Sequence, residues 1–81
     1  MTDETVRQIL ETLDDLNQDN MVPKNVKSKL GVVKGILDNE EEMSIKANRA
    51  LSELEEVNDD PNLMPHTRTA LYHIASMLET L

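Results

Sequence analysis

Apolar residues return along this chain at intervals of three and four, in four separate runs. Val6, Ile9, Leu10, Leu13 and Leu16 make the first, and Val26, Leu30, Val33, Ile36 and Leu37 the second. The third holds Met43, Ala47, Ala50, Leu51, Leu54 and Val57, and the fourth Ala70, Leu71, Ile74, Met77, Leu78 and Leu81. This is the spacing of a helix that turns one face to a core. No useful stretch alternates with a period of two, and β-branched residues are too scattered for strands. The pattern predicts four helices and no sheet.

The residues between the runs agree with that division. Pro23 and Pro65 stand where the second and fourth helices should begin, and proline's missing N–H has no helical partner to lose there. Asn39, followed by Glu40, Glu41 and Glu42, has the form of a capped start to the third helix, with acids at the positive end of its dipole. Asn17 and Asn58 follow the last apolar residues of the first and third helices and are expected to end them in the left-handed conformation.

The two halves repeat. At a shift of 41 residues Leu10 falls on Leu51, Leu13 on Leu54, Asn17 on Asn58, Asp19 on Asp60, Leu30 on Leu71 and Leu37 on Leu78. Leu16 pairs with Val57, Lys27 with Arg68, Ser28 with Thr69 and Val33 with Ile74, while the prolines are out of step by one. Two copies are too few for a solenoid. The expected fold is therefore all-α: an antiparallel four-helix bundle of two pseudo-two-fold related αα-hairpins, about 3–38 and 40–81, in one domain over residues 1–81. An intertwined dimer of the same hairpins is the rival.

The stretch NDDPNLMPHTRTALYHIASMLE, Asn58 to Glu79, resembles the C-terminal signature of a small, uncharacterised, all-helical family found mainly in archaea. VPKNVK, Val22 to Lys27, is similar to the same family's motif at the start of its second helix. The likeness extends over nearly all of the chain. It implies a compact helical bundle in an archaeal cytoplasm and supplies no activity or catalytic residues.

Composition narrows the function further. A chain of 81 residues with 38% apolar side chains, one Tyr and no Phe or Trp has little room for an internal ligand cavity. Sixteen acidic against eight basic residues leave a net charge of −8, which argues against a generally basic nucleic-acid binder or a membrane-surface protein. Without cysteine there is no disulfide, thiolate nucleophile or thiolate metal ligand. No secretory signal pattern and no apolar run of about twenty residues is present, so a soluble, cytoplasmic protein is expected.

Reactive constellations are sparse. His66 and His73 lie seven residues apart, about 10.5 Å along a helix, too far to share one metal ion, and are expected at the edge of the apolar face. Asp15-x-Asn17-x-Asp19 and Glu56-x-Asn58-x-Asp60 begin like calcium loops. Asn20 and Pro61 then stand where the glycine is needed, and Val26 and Thr67 where the bidentate Glu belongs. Helix ends and Asx turns account for both better. The loops fall at one end of the bundle, and whether Asn17, Asp19, Asn58 and Asp60 gather around a cation is left open by the sequence. Ser76 is within helical reach of His73, but both project to the polar side and no glycine-rich turn supplies an oxyanion hole. No phosphate loop, dinucleotide glycine pattern or metalloprotease motif occurs. The expectation is a non-enzymatic protein without cofactor, metal or small-molecule substrate.

The second helix stands out. With about 100° of turn per residue, Val26, Leu30, Val33 and Leu37 share one side, and Ser28, Gly31 and Gly35 the other. Each glycine destabilises the helix by about 0.8–1 kcal/mol relative to Ala. The helix carries four lysines and no acid before Asp38. Tyr72, the single aromatic residue, points away from the fourth helix's apolar face and matches Gly31 in the repeat. Ile45 also points away from its helix's apolar stripe. A wheel turned a few tens of degrees would instead bury the glycines against a neighbour and set the lysines against acids such as Glu53, Glu55 and Glu56.

The functional expectation is an interaction or self-association module using Lys24, Lys27, Gly31, Lys34, Gly35, Arg68 and Tyr72. In it, Tyr72 packs on the Gly31–Gly35 strip of a second copy across a two-fold axis. The alternative is an accessory RNA-binding protein in which Lys24, Lys27, Lys34 and Arg68 meet phosphates and Tyr72 stacks on a base, against which the net charge counts.

Overall fold

The computed structural model describes residues 2–81, with side chains from Glu4 onward. Four helices occupy it: α1 (Thr2–Asn17), α2 (Lys24–Asp38), α3 (Met43–Asn58) and α4 (Pro65–Glu79), with no strand among the described residues. Each of the four apolar runs lies on its own helix, with Leu81 just past the end of α4.

The buried faces meet in one core. Ile9, Leu13 and Leu16 come from α1, Val26, Leu30, Val33 and Leu37 from α2, Ala47, Ala50, Leu54 and Val57 from α3, and Leu71, Ile74 and Leu78 from α4. Two residues outside the helices complete it. Val22 and Leu63, each in the loop before a helix, turn inward and close the core at its loop end. α1 packs on α2 and α4, and α3 packs on the same two, so that α1 faces α3 and α2 faces α4 only across the diagonal. The 33 × 20 × 18 Å extent fits such a two-by-two cross-section, since packed helix axes lie about 8–10 Å apart.

The helix ends differ from the sequence expectation in two places. Asn39 closes α2 rather than opening α3: its backbone N–H donates to Ile36 O, and its Oδ1 accepts from the Glu40 N–H at 2.6 Å. α3 begins at Met43 after Glu42, with no side-chain cap. The physical reason lies in Lys46. This buried side chain sends its Nζ to Leu37 O at 3.0 Å and Asn39 O at 2.5 Å, and thereby ties the link between the helices to the end of α2. Nor do Asn17 and Asn58 adopt the left-handed conformation, since no non-glycine residue among those described has positive φ. The chain continues past both in tight turns, with Asp19 N–H on Leu16 O at 3.2 Å and Asp60 N–H on Val57 O at 3.1 Å. The one-residue offset of the prolines has a simple meaning: Pro23 is the cap residue before α2, whereas Pro65 is the first residue of α4.

Candidate functional site

Burial of Val26, Leu30, Val33 and Leu37 fixes the rotation of α2 and determines what it shows to solvent. Lys24, Asn25, Ser28, Gly31, Val32, Gly35 and Asp38 are all exposed. A Cβ built on Gly31 or Gly35 would meet nothing within 4 Å, so neither glycine serves close packing inside the chain. Beside them Val32 is 49% exposed. The outward side of α2 is thus a strip of small residues with one exposed apolar side chain, Val32, and a charge at each end, Lys24 and Asp38.

Its lysines have separate fates. Lys29 reaches sideways to α3, with Nζ 2.8 Å from Glu53 Oε2 and 3.5 Å from Glu56 Oε2. The Glu53 hydrogen bond holds its ammonium above the ordinary 10.5. Lys34 reaches the other way to Asp14 of α1, at 3.2 Å. Lys27 is half-buried at the loop end, where its charge acts on Asp19. Lys24 remains exposed and makes no ion pair among the described residues. The outcome lies between the two rotations considered from the sequence. The glycines face outward, while Lys29 and Lys34 tie the flanks of α2 to acidic neighbours.

On α4, Tyr72 is 57% exposed among Thr69, His73 and Ser76. Arg68 does not stand beside it as an exposed anchor. Its Nη1 donates to Asn58 O and its Nη2 to Asp60 O at 2.9 Å, covering the carbonyls at the end of α3. Because α2 and α4 are diagonal and both turn their apolar residues to the centre, their outward faces point to opposite sides of the molecule. The structure therefore does not bring Tyr72 together with Gly31 and Gly35. Tyr72 of one copy on the glycine strip of another is a head-to-tail contact, which cannot close about a two-fold axis when the surfaces are on opposite sides. The candidate phosphate-binding set is divided in the same way: Lys34 and Arg68 are engaged within the chain, Lys27 is half-buried beside Asp19, and Tyr72 faces away from Lys24.

The loop end forms a reciprocal clasp. Asp19 accepts the Met21 N–H on Oδ1 at 2.8 Å, and its Oδ2 lies 3.2 Å from His66 Nε2 at the start of α4. Asp60 accepts the Asn62 N–H on Oδ1 at 2.9 Å and the Asn25 amide of α2 on Oδ2 at 3.1 Å. These bonds hold both carboxyls below the ordinary 3.8, the backbone N–H contributing most in each. Asp19 and Asp60 thus direct their oxygens at neighbouring elements, and no three His, Cys, Asp or Glu side chains among those described form a metal-holding group.

Sequence reasoning missed three features: Val32 on the strip, the buried capping ammonium of Lys46, and the clasp residue Asn25. Val32 was legible on the same helical wheel as the glycines. Asn25 was legible in the repeat, since it matches His66 at the 41-residue shift. Nothing in the pattern marks Lys46, a charged residue at the edge of an apolar stripe.

What these observations define is a small four-helix protein with a core shut to solvent, no pocket among the described residues, and no described helix long and apolar enough to cross a membrane. The profile of the uncharacterised protein family UPF0147 matches residues 1–81, and the chain belongs to that family, whose homologues occur across archaeal species. A UPF0147 protein of Methanosarcina acetivorans is 39% identical over 79 residues, covering 96% of this chain and 81% of the relative. One of Archaeoglobus fulgidus is 37% identical over 81 residues, covering 100% and 93%. One of Thermoplasma volcanium is 41% identical over 75 residues, covering 91% and 84%. A crystal structure of a protein of unknown function, MMP1188, is similar with a TM-score of 0.91 and 32% identity, over 95% of this chain and 89% of that one. The family has no assigned function.

Proposed function

We propose that this chain is a non-enzymatic, cytoplasmic interaction module that docks a protein partner on the outward face of α2. One observation carries the proposal: two glycines occupy mid-helix positions with open space where their side chains would be. Helix glycine lowers stability by about 0.8–1 kcal/mol per residue relative to Ala, and here no internal contact repays it. A body that approaches the helix closely from outside does use the missing side chains. Val32 adds an exposed apolar contact, and the ion pairs of Lys29 and Lys34 link the flanks of α2 to α3 and α1.

The reading includes an arrangement of the fold: two antiparallel αα-hairpins about a pseudo-two-fold axis. Support comes from the recurrence of contacts 41 residues apart. Leu13 and Leu54, Leu30 and Leu71, and Leu37 and Leu78 are all buried pairs. Val22 N–H to Asp19 O recurs as Leu63 N–H to Asp60 O, and Lys27 N–H to Pro23 O as Arg68 N–H to Met64 O. Asp19 clasps α4 while Asp60 clasps α2. In this frame Tyr72 occupies on α4 the place of Gly31 on α2. The fold accepts the largest side chain of the protein there, so it does not itself require glycine.

A photo-crosslinking residue placed at position 32, compared with one at position 52 on the exposed side of α3, tests the reading in native extract. The expected result is a discrete adduct, with this chain or with another protein, from position 32 and none from position 52. Equal, diffuse labelling from both positions would overturn it.

A further inference from the structure

The outward strip of α2 has a symmetry of its own. Lys24, Ser28, Gly31, Gly35 and Asp38 follow one another at spacings of four, three, four and three, the repeat of a helix seam that packs against a second helix. All five are exposed. The charged ends are opposite in sign, and each lies seven residues from Gly31, about 10.5 Å along the axis. Neither Lys24 nor Asp38 makes an ion pair among the described residues, in contrast to Lys29 and Lys34 on the flanks of the same helix.

We infer that the partner of this face is a second copy of the chain, with the two α2 helices antiparallel about a two-fold axis at Gly31. The inference rests on the docking reading above and names its occupant. Reversing the strip onto itself places Lys24 opposite Asp38 of the other copy at both ends, Ser28 opposite Gly35, and Gly31 opposite Gly31. The three central layers contain only small residues, so the backbones come close. Parallel pairing would set Lys24 against Lys24 and Asp38 against Asp38, and like charges across a contact are unfavourable. The matching strip on α4 lacks this complementarity. There Pro65, Thr69, Tyr72, Ser76 and Glu79 hold an acid at one end, no cation at the other, and a bulky ring in the middle. The end charges of the strip therefore favour α2 over α4 and the antiparallel over the parallel sense, and a two-fold axis closes the assembly as a dimer.

One helix strip is a small interface beside the roughly 800 Å² per partner of a standard complex, so the association belongs in the range of about 10 µM to 1 mM. Sedimentation of the full-length chain across that range tests it. The wild type is expected to show a reversible monomer–dimer equilibrium. Lys24→Glu and Asp38→Lys each place two symmetry-related like-charge pairs in the dimer and are expected to weaken it about tenfold. The double variant Lys24→Glu/Asp38→Lys restores both pairs with signs exchanged and returns to within about threefold of wild type. Since the chain has no cysteine, Gly31→Cys adds a single thiol that meets its own copy at the axis, and mild oxidation is expected to give a disulfide-linked dimer. A strictly monomeric wild type, or charge variants that weaken association without rescue in the double, would overturn self-pairing. The docking reading fails separately, if position 32 yields no adduct in extract. An adduct there with a different protein, beside a monomeric purified chain, refutes the dimer and leaves the docking face standing.

Discussion

Thr67 lies wholly within the core, and its Oγ1 has no hydrogen-bond partner among the described residues. A hydroxyl taken out of water without a replacement bond costs about 1–3 kcal/mol. Val26, its counterpart in the first half, fills the equivalent place with a methyl and is equally buried. Thr67→Val keeps the shape and removes the unsatisfied oxygen, so it is expected to stabilise the chain by about 1–2 kcal/mol in urea unfolding. A lower midpoint would mean that the hydroxyl serves the fold. Residues of this kind bound what a pattern can reveal. Leu and Ile in a stripe announce their burial, but Thr67 and Lys46 are buried polar residues that no such stripe announces. Val22 and Leu63 plug the core from loops, where helical periodicity gives no signal.

At the scale of elements, the helices were legible because apolar spacing is repeated over several turns, whereas their ends depend on single bonds between distant residues. The carbonyls at the end of α2 are taken by Lys46 and those at the end of α3 by Arg68, each contributed by the following helix. Asn39, Asn17 and Asn58 looked like local caps, but these long-range cations and short turns perform the work instead. The Asp19 and Asp60 clasps, at the same end as the Arg68 contacts, carry a pH dependence. Asp19 and Asp60 have folded pKa values below the ordinary aspartate value, so their contribution is full above that value, near 3.8, and is lost as pH falls through the lower folded value. The expected result is a stability that declines on acidification below about pH 4, and a shallower decline for Asp19→Asn/Asp60→Asn, which begins from a lower stability at neutral pH. Urea midpoints measured from pH 7 to 2 check this. Parallel acid limbs for the two proteins would contradict it.

For the molecule as a whole, the ring order of the helices decides which surfaces can act together. Each face could be read from its own helical wheel, and the exposure of Gly31, Gly35 and Tyr72 agrees with that reading. What no wheel contains is the relation between wheels. The diagonal placement of α2 and α4 sends the tyrosine and the glycines to opposite sides, and separates a candidate site that sequence proximity in the repeat had joined. The lysines were equally ambiguous, because a charge on a helix flank is solvated or paired according to what lies beside it. α1 and α3 supply acids to Lys34 and Lys29, while Lys24 at the end of the strip has no ion pair among the described residues.

The central claim is that the open glycines of α2 serve a body outside the fold and are not needed to build it. Urea unfolding of Gly31→Ala/Gly35→Ala tests this most directly. Both new methyl groups enter open space, so the double variant should unfold at higher urea, with a gain of roughly 1.5–2 kcal/mol. A variant less stable than the parent would show that the fold itself requires glycine at these positions, and would contradict the account.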